Sequence, residues 1–259
     1  MSDLKITILG CGSSFGVPLF HNIWGKCDPK EPKNRRTRPS ILVQKNNKNL
    51  LIDTSPDLKQ QFLSNKIDNI DAVFYTHEHA DHTHGINELR SINLIHGTII
   101  PCYGNEQTME KITNSFNYLF ENTEKSYYPA ILSKNLYSSK EFEIFGINIK
   151  LISQNHGDID SIGFIFDDKV AYNLDVKYFY DKEFFKKIEN IDHWIVGCLR
   201  IDPHISHASL SEVKEWLDIV KPKKAYLSHM TAHLDYKDTI NYLDNKNYMP
   251  AYDGQILEL

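Results

Sequence analysis

The sequence predicts a single α/β domain that covers residues 1–259. Short apolar strands and amphipathic helical segments interleave along the whole chain, and no linker, repeat or low-complexity tract separates them. At 259 residues the chain is long enough to bury one large core. Hydrophobic residues make up 41% and charged residues 24%, which is typical of soluble globular proteins and excludes a disordered or fibrous chain.

The first part of the chain alternates apolar runs with turn residues. The predicted strands there are Lys5–Leu9, Ser40–Val43, Asn49–Ile52 and Asp71–Tyr75. Ser55 can cap a helix in which Pro56 is the first residue and which ends near Leu63. The glycines of the segment Gly10–Gly16 are spaced GxGxxxG, and Val17-Pro18 follows them instead of a helix. This excludes a dinucleotide site and predicts a tight loop that leaves an edge strand.

The second part of the chain returns to the same alternation. The predicted strands are Glu141–Phe145, Asn148–Ser153, Ile162–Phe166, Val170–Asn173, His193–Leu199, Lys224–Leu227 and a terminal strand after Gly254. The predicted helices are Thr108–Phe120, Tyr178–Ile188, one that opens with the capping box Ser209-x-x-Glu212, and one near Tyr236–Leu243. Tyr127 and Tyr128 are candidate pocket residues, with no ligand role as the alternative.

Charge and cysteine usage narrow the class of protein. The net charge of −5 gives no basic footprint for a nucleic acid. The long loop Phe20–Pro39 carries the basic residues Lys33, Arg35, Arg36 and Arg38, for which a solvated charge run is favoured over phosphate binding. No apolar run is long enough to span a membrane, Met1–Gly10 resembles no secretory leader, and the cysteines form no CxxC pair. We therefore expect a cytoplasmic protein.

The histidine-rich run THEHADH directly follows the predicted strand that ends at Tyr75. Side chains alternate on an extended segment, so His77 and His79 project from one face and can bind one metal ion. If a helix begins there, Asp81 and His82 point back into the same space. Nitrogen and carboxylate donors together suit Zn, Mn or Fe better than Ca or Mg. The alternative, a solvated histidine-rich turn, would not need an apolar strand leading into it.

The pattern HxHxDH after a strand resembles the signature of the metallo-β-lactamase superfamily, whose fold is a four-layer αβ/βα sandwich. Donors just beyond later predicted strands follow the family's order, although His156 or His229 alone would be an ordinary histidine. The resemblance implies that Asp53 supports the metal loop without binding a metal. It also implies two metal ions, the first bound by His77, His79 and His156, the second by Asp81, His82 and His229, with Asp175 bridging both.

Longer stretches narrow the resemblance to one branch. The segments ITILGCGSSFGVP, WGKCDPKEPKNRRTRPSILV and LLIDTSPDLKQQ resemble the PhnP-type phosphoribosyl cyclic phosphate phosphodiesterases, which are close to the tRNA-maturing endonucleases. Both place a histidine that is not a ligand after the bridging acid. The run PHISHAS therefore implies that His207 is the general acid or contacts the phosphate, and that His204 is its neighbour there; a loop-capping role is the alternative for His204. Of that branch's cysteine-rich zinc site only Cys27 remains, and we expect it to be a small buried hydrophobe.

These observations predict a binuclear metal hydrolase that cleaves a small or cyclic phosphodiester. Asp81, His207 and His204 form the predicted catalytic set, with Zn as the expected metal and Mn or Fe as alternatives. A lactonase or thioesterase, a tRNA-type endoribonuclease and a non-catalytic metal-binding module are the competing hypotheses. The expected partner is a small phosphodiester, with neither a nucleic acid nor a membrane, and a homodimer is compatible with the sequence. The remaining histidines receive no role, namely His21, His84, His96, His193 and His233.

Overall fold

Two mixed β-sheets form the framework of the protein, seen in a computed structural model that describes residues 4–122 and 129–259. The candidate pocket residues Tyr127 and Tyr128 lie outside the described residues. The strands of the first sheet are β1 (Lys5–Gly10), β2 (Ser40–Lys45), β3 (Lys48–Ile52), β4 (Ala72–Phe74), β5 (Ile100–Gly104), β6 (Leu132–Leu136) and β15 (Gln255–Glu258). Their order is β15-β1-β2-β3-β4-β5-β6, antiparallel up to β3 and parallel from β3 to β6.

The second sheet also combines an antiparallel and a parallel half. Its strands are β7 (Glu141–Ile144), β8 (Ile147–His156), β9 (Ile159–Phe166), β10 (Val170–Asn173), β11 (Tyr178–Phe179), β12 (His193–Gly197), β13 (Lys224–Ser228) and β14 (Tyr248–Pro250). The order is β11-β8-β9-β10-β12-β13-β14, with β7 paired to β8. The strands β10, β12, β13 and β14 are parallel, so their carboxyl ends meet at one edge.

Helices cover the outer faces of both sheets. They are α1 (Leu58–Asn65), α2 (Ala80–Thr83), α3 (Leu89–His96), α4 (Glu106–Ser115), α5 (Asn117–Phe120), α6 (Phe184–Lys187), α7 (Leu210–Val220) and α8 (Tyr236–Leu243). Short 3₁₀ turns occupy Phe20–Asn22, Pro32–Asn34 and Ile86–Glu88. The predicted capping box is present at α7: the Ser209 side chain accepts from the backbone of Glu212, whose side chain accepts from the Ser209 backbone. Among the described residues, no helix is both long and apolar enough to cross a membrane.

Both faces of the first sheet are buried, which produces the layers. Leu50 and Ile52 of β3 lie in a core shared by the two sheets, whereas Leu51 between them lies in a second core under the helices. This is the alternation expected when a strand is covered on both sides. On the other side, Trp194 of β12 and Val213 of α7 extend the shared core. The order helix, sheet, sheet, helix confirms the predicted four-layer αβ/βα sandwich.

In three places the structure differs from a local prediction, and in the first two of them contacts distant in sequence override the local pattern. The segment Tyr178–Ile188 is not one helix: Tyr178 and Phe179 pair with β8, and only Phe184–Lys187 is helical. The strand β1 is not an edge strand, since β15 pairs with it on the side opposite β2. The predicted helix Thr108–Phe120 is divided into α4 and α5 at Phe116, whose φ of −126° and ψ of 36° are not helical.

The basic loop is not a solvated charge run at its centre. Arg36 is only 2% exposed, and its guanidinium donates to the side chain of Asn34 and to the carbonyl oxygens of Thr231 and Leu234. Arg38 forms a 2.6 Å ion pair with Asp57. These side chains fasten the loop to its neighbours because buried carbonyl oxygens need hydrogen-bond donors.

The early loop also contains Cys27, which is buried as predicted. Its thiol lies 3.4 Å from the Leu234 carbonyl oxygen.

Candidate metal centre

The seven predicted metal-binding side chains converge at one edge of the two sheets. The run that follows β4 supplies four of them, and the ends of β8, β10 and β13 supply His156, Asp175 and His229. Within each compact group of donors the candidate ligand atoms lie within 4.8 Å of one another. Six of these side chains are buried, and His79 is exposed.

The first group consists of three imidazoles. Nδ1 of His79 lies 3.0 Å from Nε2 of His77 and 3.2 Å from Nε2 of His156. Three ring nitrogens therefore point at one small volume, which is the arrangement that imidazole ligands of a metal ion require.

The second group contains one carboxylate and two imidazoles. Oδ2 of Asp81 lies 3.5 Å from Nε2 of His82 and 3.4 Å from Nε2 of His229. Asp175 lies between the two groups: its Oδ2 is 3.0 Å from Nε2 of His82, and its Oδ1 is 3.6 Å from Nε2 of His156. A carboxylate in this position can reach ions in both groups.

Asp53 supports the second group from behind. It is fully buried directly after β3, and its carboxylate lies 2.7 Å from Nδ1 of His82. It also accepts from the backbone N–H and the hydroxyl of Thr76, both at 2.8 Å. Hydrogen bonds of this kind orient metal-binding histidines and fix which ring nitrogen is free.

The first group is supported in a similar way. Nδ1 of His77 lies 2.9 Å from the Thr76 hydroxyl. Nδ1 of His156 lies 3.0 Å from the Ser206 carbonyl oxygen. In both rings Nε2, the nitrogen that faces the group, is left available.

Three residues of the site adopt a left-handed backbone conformation within two residues of a strand end. The φ angles are 62° at Asp53, 45° at Asp175 and 57° at His229. Asp and His tolerate this region better than most residues, and such strain concentrates at functional sites. The sharp turn aims each side chain across the edge of the sheet.

The electrostatics of the site fit a cation. Burial lowers the pKa of both His77 and His79, which favours neutral rings with a free lone pair. Burial raises the pKa of Asp81 and Asp175, but the neighbouring histidines outweigh this effect and hold both values low. His77 and His79 are thus neutral imidazoles, and Asp81 and Asp175 are ionised carboxylates, as metal binding requires.

His82 shows that the carboxylates need a positive charge. Burial lowers the pKa of His82, but Asp175, Asp81 and Asp53 outweigh burial and raise it well above its usual value. His82 Nε2 and Asp175 Oδ2 lie 3.0 Å apart, yet these two buried atoms form no hydrogen bond with each other or with any other described residue. A divalent cation bound to these two atoms would supply the charge and satisfy both, so the residues present fit such an ion.

His207 lies against the centre. Its Nδ1 is 3.5 Å from Oδ1 of Asp175, and its ring stacks on that of His229 at 5.0 Å between centroids. Burial, opposed in part by Asp175, lowers the pKa of His207 to about 3. With His156 and Asp175 it forms a further group of possible donors, so its role as a residue that binds no metal stays a prediction.

His204 lies one ring further out. Its centroid is 5.3 Å from that of His207, and its Nδ1 accepts from the backbone N–H of Ser206 at 3.3 Å. This contact is the loop-capping role that the sequence left open. A contact between His204 and a substrate stays a prediction.

Sequence reasoning missed the hydroxyl groups around the centre. The Ser14 hydroxyl donates to Oδ2 of Asp81 at 2.8 Å, and Thr76 contacts both Asp53 and His77. Thr76 could have been found because it begins the histidine-rich run. Ser14 belongs to the glycine-rich segment Gly10–Gly16, whose sequence predicts only a tight loop.

An acidic cavity of about 600 Å³ opens beside the centre. It lies between the start of α4 and the turn from β8 to β9, and five carboxylates line it: Glu78, Glu106, Glu110, Asp158 and Asp160. Glu78 pairs with Lys111 at 2.5 Å. A polyanion that passed through this cavity would meet strong repulsion.

Known proteins are similar to this chain in sequence and in fold. The chain is 25% identical over 232 residues to an octanoyltransferase of Porphyromonas gingivalis, in a match that covers 89% of this chain and 46% of that protein. The chain thus spans less than half the length of that relative. It is 24% identical over 276 residues to the anti-Pycsar protein Apyc1 of Paenibacillus harenae, covering 97% and 98% of the two chains.

The solved structures include one described as a new diphosphatase from the PhnP family. It superposes with a TM-score of 0.88 at 30% identity, and the match covers 99% of this chain and 97% of that chain. Residues 48–230 match the family described as the beta-lactamase superfamily domain, which is more than half of the chain. The chain therefore belongs to the beta-lactamase superfamily and has the metallo-β-lactamase fold.

Proposed function

We propose that the protein is a metal-dependent hydrolase that holds two divalent cations and cleaves a small or cyclic phosphodiester. The observation that carries the proposal is the pair of donor groups joined by Asp175, with His207 beside them. The first cation would be held by His77, His79 and His156, the second by Asp81, His82 and His229, and both by Asp175. The donor set favours Zn, and Mn or Fe also accept it.

The two cations would supply a hydroxide nucleophile near neutral pH and neutralise negative charge on the phosphate oxygens. The protein's own groups keep the donors in place: Asp53 and Thr76 orient His82 and His77. Asp81 would contribute to catalysis by holding the second cation.

His207 is the group we assign to the leaving oxygen. Its ring is 14% exposed, so one edge is accessible while the rest packs on the centre. An anionic phosphate beside the ring raises the pKa of His207, because a nearby negative charge stabilises imidazolium. A proton held on the ring can then pass to the departing alkoxide. We expect His204, one ring further out, to contact the phosphate.

Two of the competing hypotheses explain less of the site. A thioesterase has little need of His207, because its thiolate leaving group departs without a proton. A lactonase releases an alkoxide that does need a proton, so it is distinguished by the substrate panel below. The acidic cavity disfavours an endonuclease that must hold a long polyanion. The solved structure at 30% identity is described as a diphosphatase, which also acts at phosphorus. A non-catalytic module would not require the accessible ring of His207.

The proposal is tested with the metal-loaded protein and a panel of substrates. We expect hydrolysis of aryl phosphodiesters or cyclic nucleotides, and none of a phosphomonoester, a lactone or a thioester. Asp175→Ala should lose at least one equivalent of metal. His207→Ala should keep its metal while kcat falls by roughly 10²–10⁴ on alkyl esters, and by less on aryl esters whose leaving groups need no proton. His84→Ala, an exposed histidine outside the centre, is the matched control.

Two outcomes would contradict the proposal. Lactone or thioester hydrolysis without phosphodiesterase activity would move the function to acyl chemistry. Equal losses on alkyl and aryl esters would remove proton transfer from the role of His207 and leave it as a phosphate-binding residue.

A further inference from the structure

We infer that Ser14 is a positioning residue that fixes the cation-binding oxygen of Asp81, and that the Gly10–Gly16 loop is shaped to hold it there. The inference rests on the proposed function in one respect, namely that Asp81 binds the second cation. It gives a role to the glycine-rich segment, which has no role in the proposed reaction.

Ser14 contacts the carboxylate oxygen of Asp81 that faces the other donors of the second group. The Ser14 hydroxyl donates to Oδ2 of Asp81 at 2.8 Å, and the same oxygen faces Nε2 of His82 and of His229 at 3.5 and 3.4 Å. A carboxylate oxygen has two lone pairs, so it can accept this hydrogen bond and bind a cation together. The hydroxyl therefore limits rotation of the carboxylate without occupying the cation's place.

The glycines let the loop pack closely against the chain behind it. A Cβ on Gly10 would lie 2.1 Å from the Arg38 carbonyl oxygen. Gly16 has a φ of 67°, and a Cβ there would lie 2.9 Å from the Arg36 carbonyl oxygen. Larger residues at either position would push the loop, and Ser14 with it, away from Asp81.

Backbone hydrogen bonds attach the same loop to the segment that follows the last histidine of the second group. The N–H of Ser13 donates to the Met230 carbonyl oxygen at 3.1 Å, and the N–H of Met230 donates to the Cys11 carbonyl oxygen at 3.0 Å. Met230 directly follows His229. One loop thus contacts Asp81 through a hydroxyl and the backbone beside His229 through hydrogen bonds.

A positioning role can be separated from a structural one because Ser14 is exposed. Removing its hydroxyl leaves neither a cavity nor a buried unpaired group, so the fold should tolerate the change. The expected defect is confined to the second cation.

The test titrates metal-free protein with Zn²⁺ by calorimetry, alongside thermal unfolding of the metal-free form. For Ser14→Ala we expect the Kd of one of the two zinc equivalents to rise by about 10- to 100-fold, with the other equivalent and the Tm unchanged. Ser14→Thr, which keeps the hydroxyl, should restore the affinity. Phe15→Ala, at the neighbouring exposed position, is the matched control and should leave both affinities unchanged.

Ser14→Ala with wild-type affinity for both equivalents would overturn the inference, as would a loss accompanied by a lower Tm and no recovery in Ser14→Thr. A wild-type protein that binds fewer than two equivalents would instead refute the proposed function. The two failures are therefore distinguishable.

Discussion

Replacing Asp53 with Asn tests whether the tautomer of His82 controls cation binding. A carboxylate only accepts hydrogen bonds, so the contact of 2.7 Å from Asp53 to Nδ1 of His82 places the ring proton on Nδ1. Nε2, which faces Asp81 and Asp175, is then free to bind a cation. Asn has the same shape but carries an NH₂ group in place of one oxygen.

The side-chain amide introduced by Asp53→Asn can adopt two orientations, and both are unfavourable for cation binding. Opposite His82 it donates to Nδ1 and moves the ring proton to Nε2, which blocks the cation. Opposite the backbone N–H of Thr76 it sets one buried donor against another. To bind the cation, His82 must return to the tautomer with its proton on Nδ1. That tautomer no longer has the hydrogen bond to a charged carboxylate, which contributes about 1.5–3 kcal/mol. The affinity for the second cation should therefore fall by roughly 10- to 150-fold.

The assay is a Zn²⁺ titration of the metal-free proteins by calorimetry. The equivalent held by His77, His79 and His156 should bind normally in Asp53→Asn, and only the other should weaken. Asp71→Asn is the matched control, because it makes the same chemical change at a carboxylate that pairs with Lys48. Wild-type affinity for both equivalents in Asp53→Asn would refute the tautomer argument.

Three further predictions concern stability. Gly85→Ala should lower the free energy of unfolding in urea by about 1–3 kcal/mol or more, because its Cβ would lie 1.8 Å from the Ser55 carbonyl oxygen; an unchanged midpoint would contradict this. Arg36→Ala should cost about 3 kcal/mol through the buried acceptors it leaves unpaired. Exposed Arg35→Ala should cost within about 0.5 kcal/mol, and equal losses in the two variants would contradict the burial argument. Burial lowers the pKa of His193 to about 4, below its value of about 6.5 in an unfolded chain. The stability linked to its neutral ring is fully present above about pH 6.5 and is lost as pH falls towards 4. His193→Phe should therefore reduce this acid-dependent loss in denaturant titrations at several pH values, and an unchanged pH dependence would contradict the prediction.

The first donors could be predicted from local geometry, and the later ones from the resemblance to the metallo-β-lactamase superfamily. His77 and His79 are two residues apart, and that spacing alone places them on one face of an extended segment. Asp175 and His229 each follow a short apolar run, and parallel strands bring their carboxyl ends to one edge of the sheet. The capping box at Ser209 is likewise a local pattern, and the structure contains it.

Features that depend on distant contacts could not be predicted. Ser14 is 67 positions from Asp81, so no spacing rule connects them. The strand β5 has the sequence IPCYG, in which Pro and Gly disfavour a strand, yet pairing with β4 and β6 makes it one. Arg36 lies within a charged run, and only the folded chain shows that it is buried.

The origin of the donors in both sheets has a consequence for how the protein acquires metal. His229 lies 148 positions after Asp81, so a ribosome releases the histidine-rich run long before the last donor exists. Until β13 has docked beside β12, the growing chain offers only part of the second donor set, and a partial set releases its ion readily. The metal at the second donor set would therefore be chosen after folding, by the ions available at that moment. This can be observed directly by expressing the protein in media of different metal content, measuring the bound metal in each preparation, and testing whether that metal exchanges.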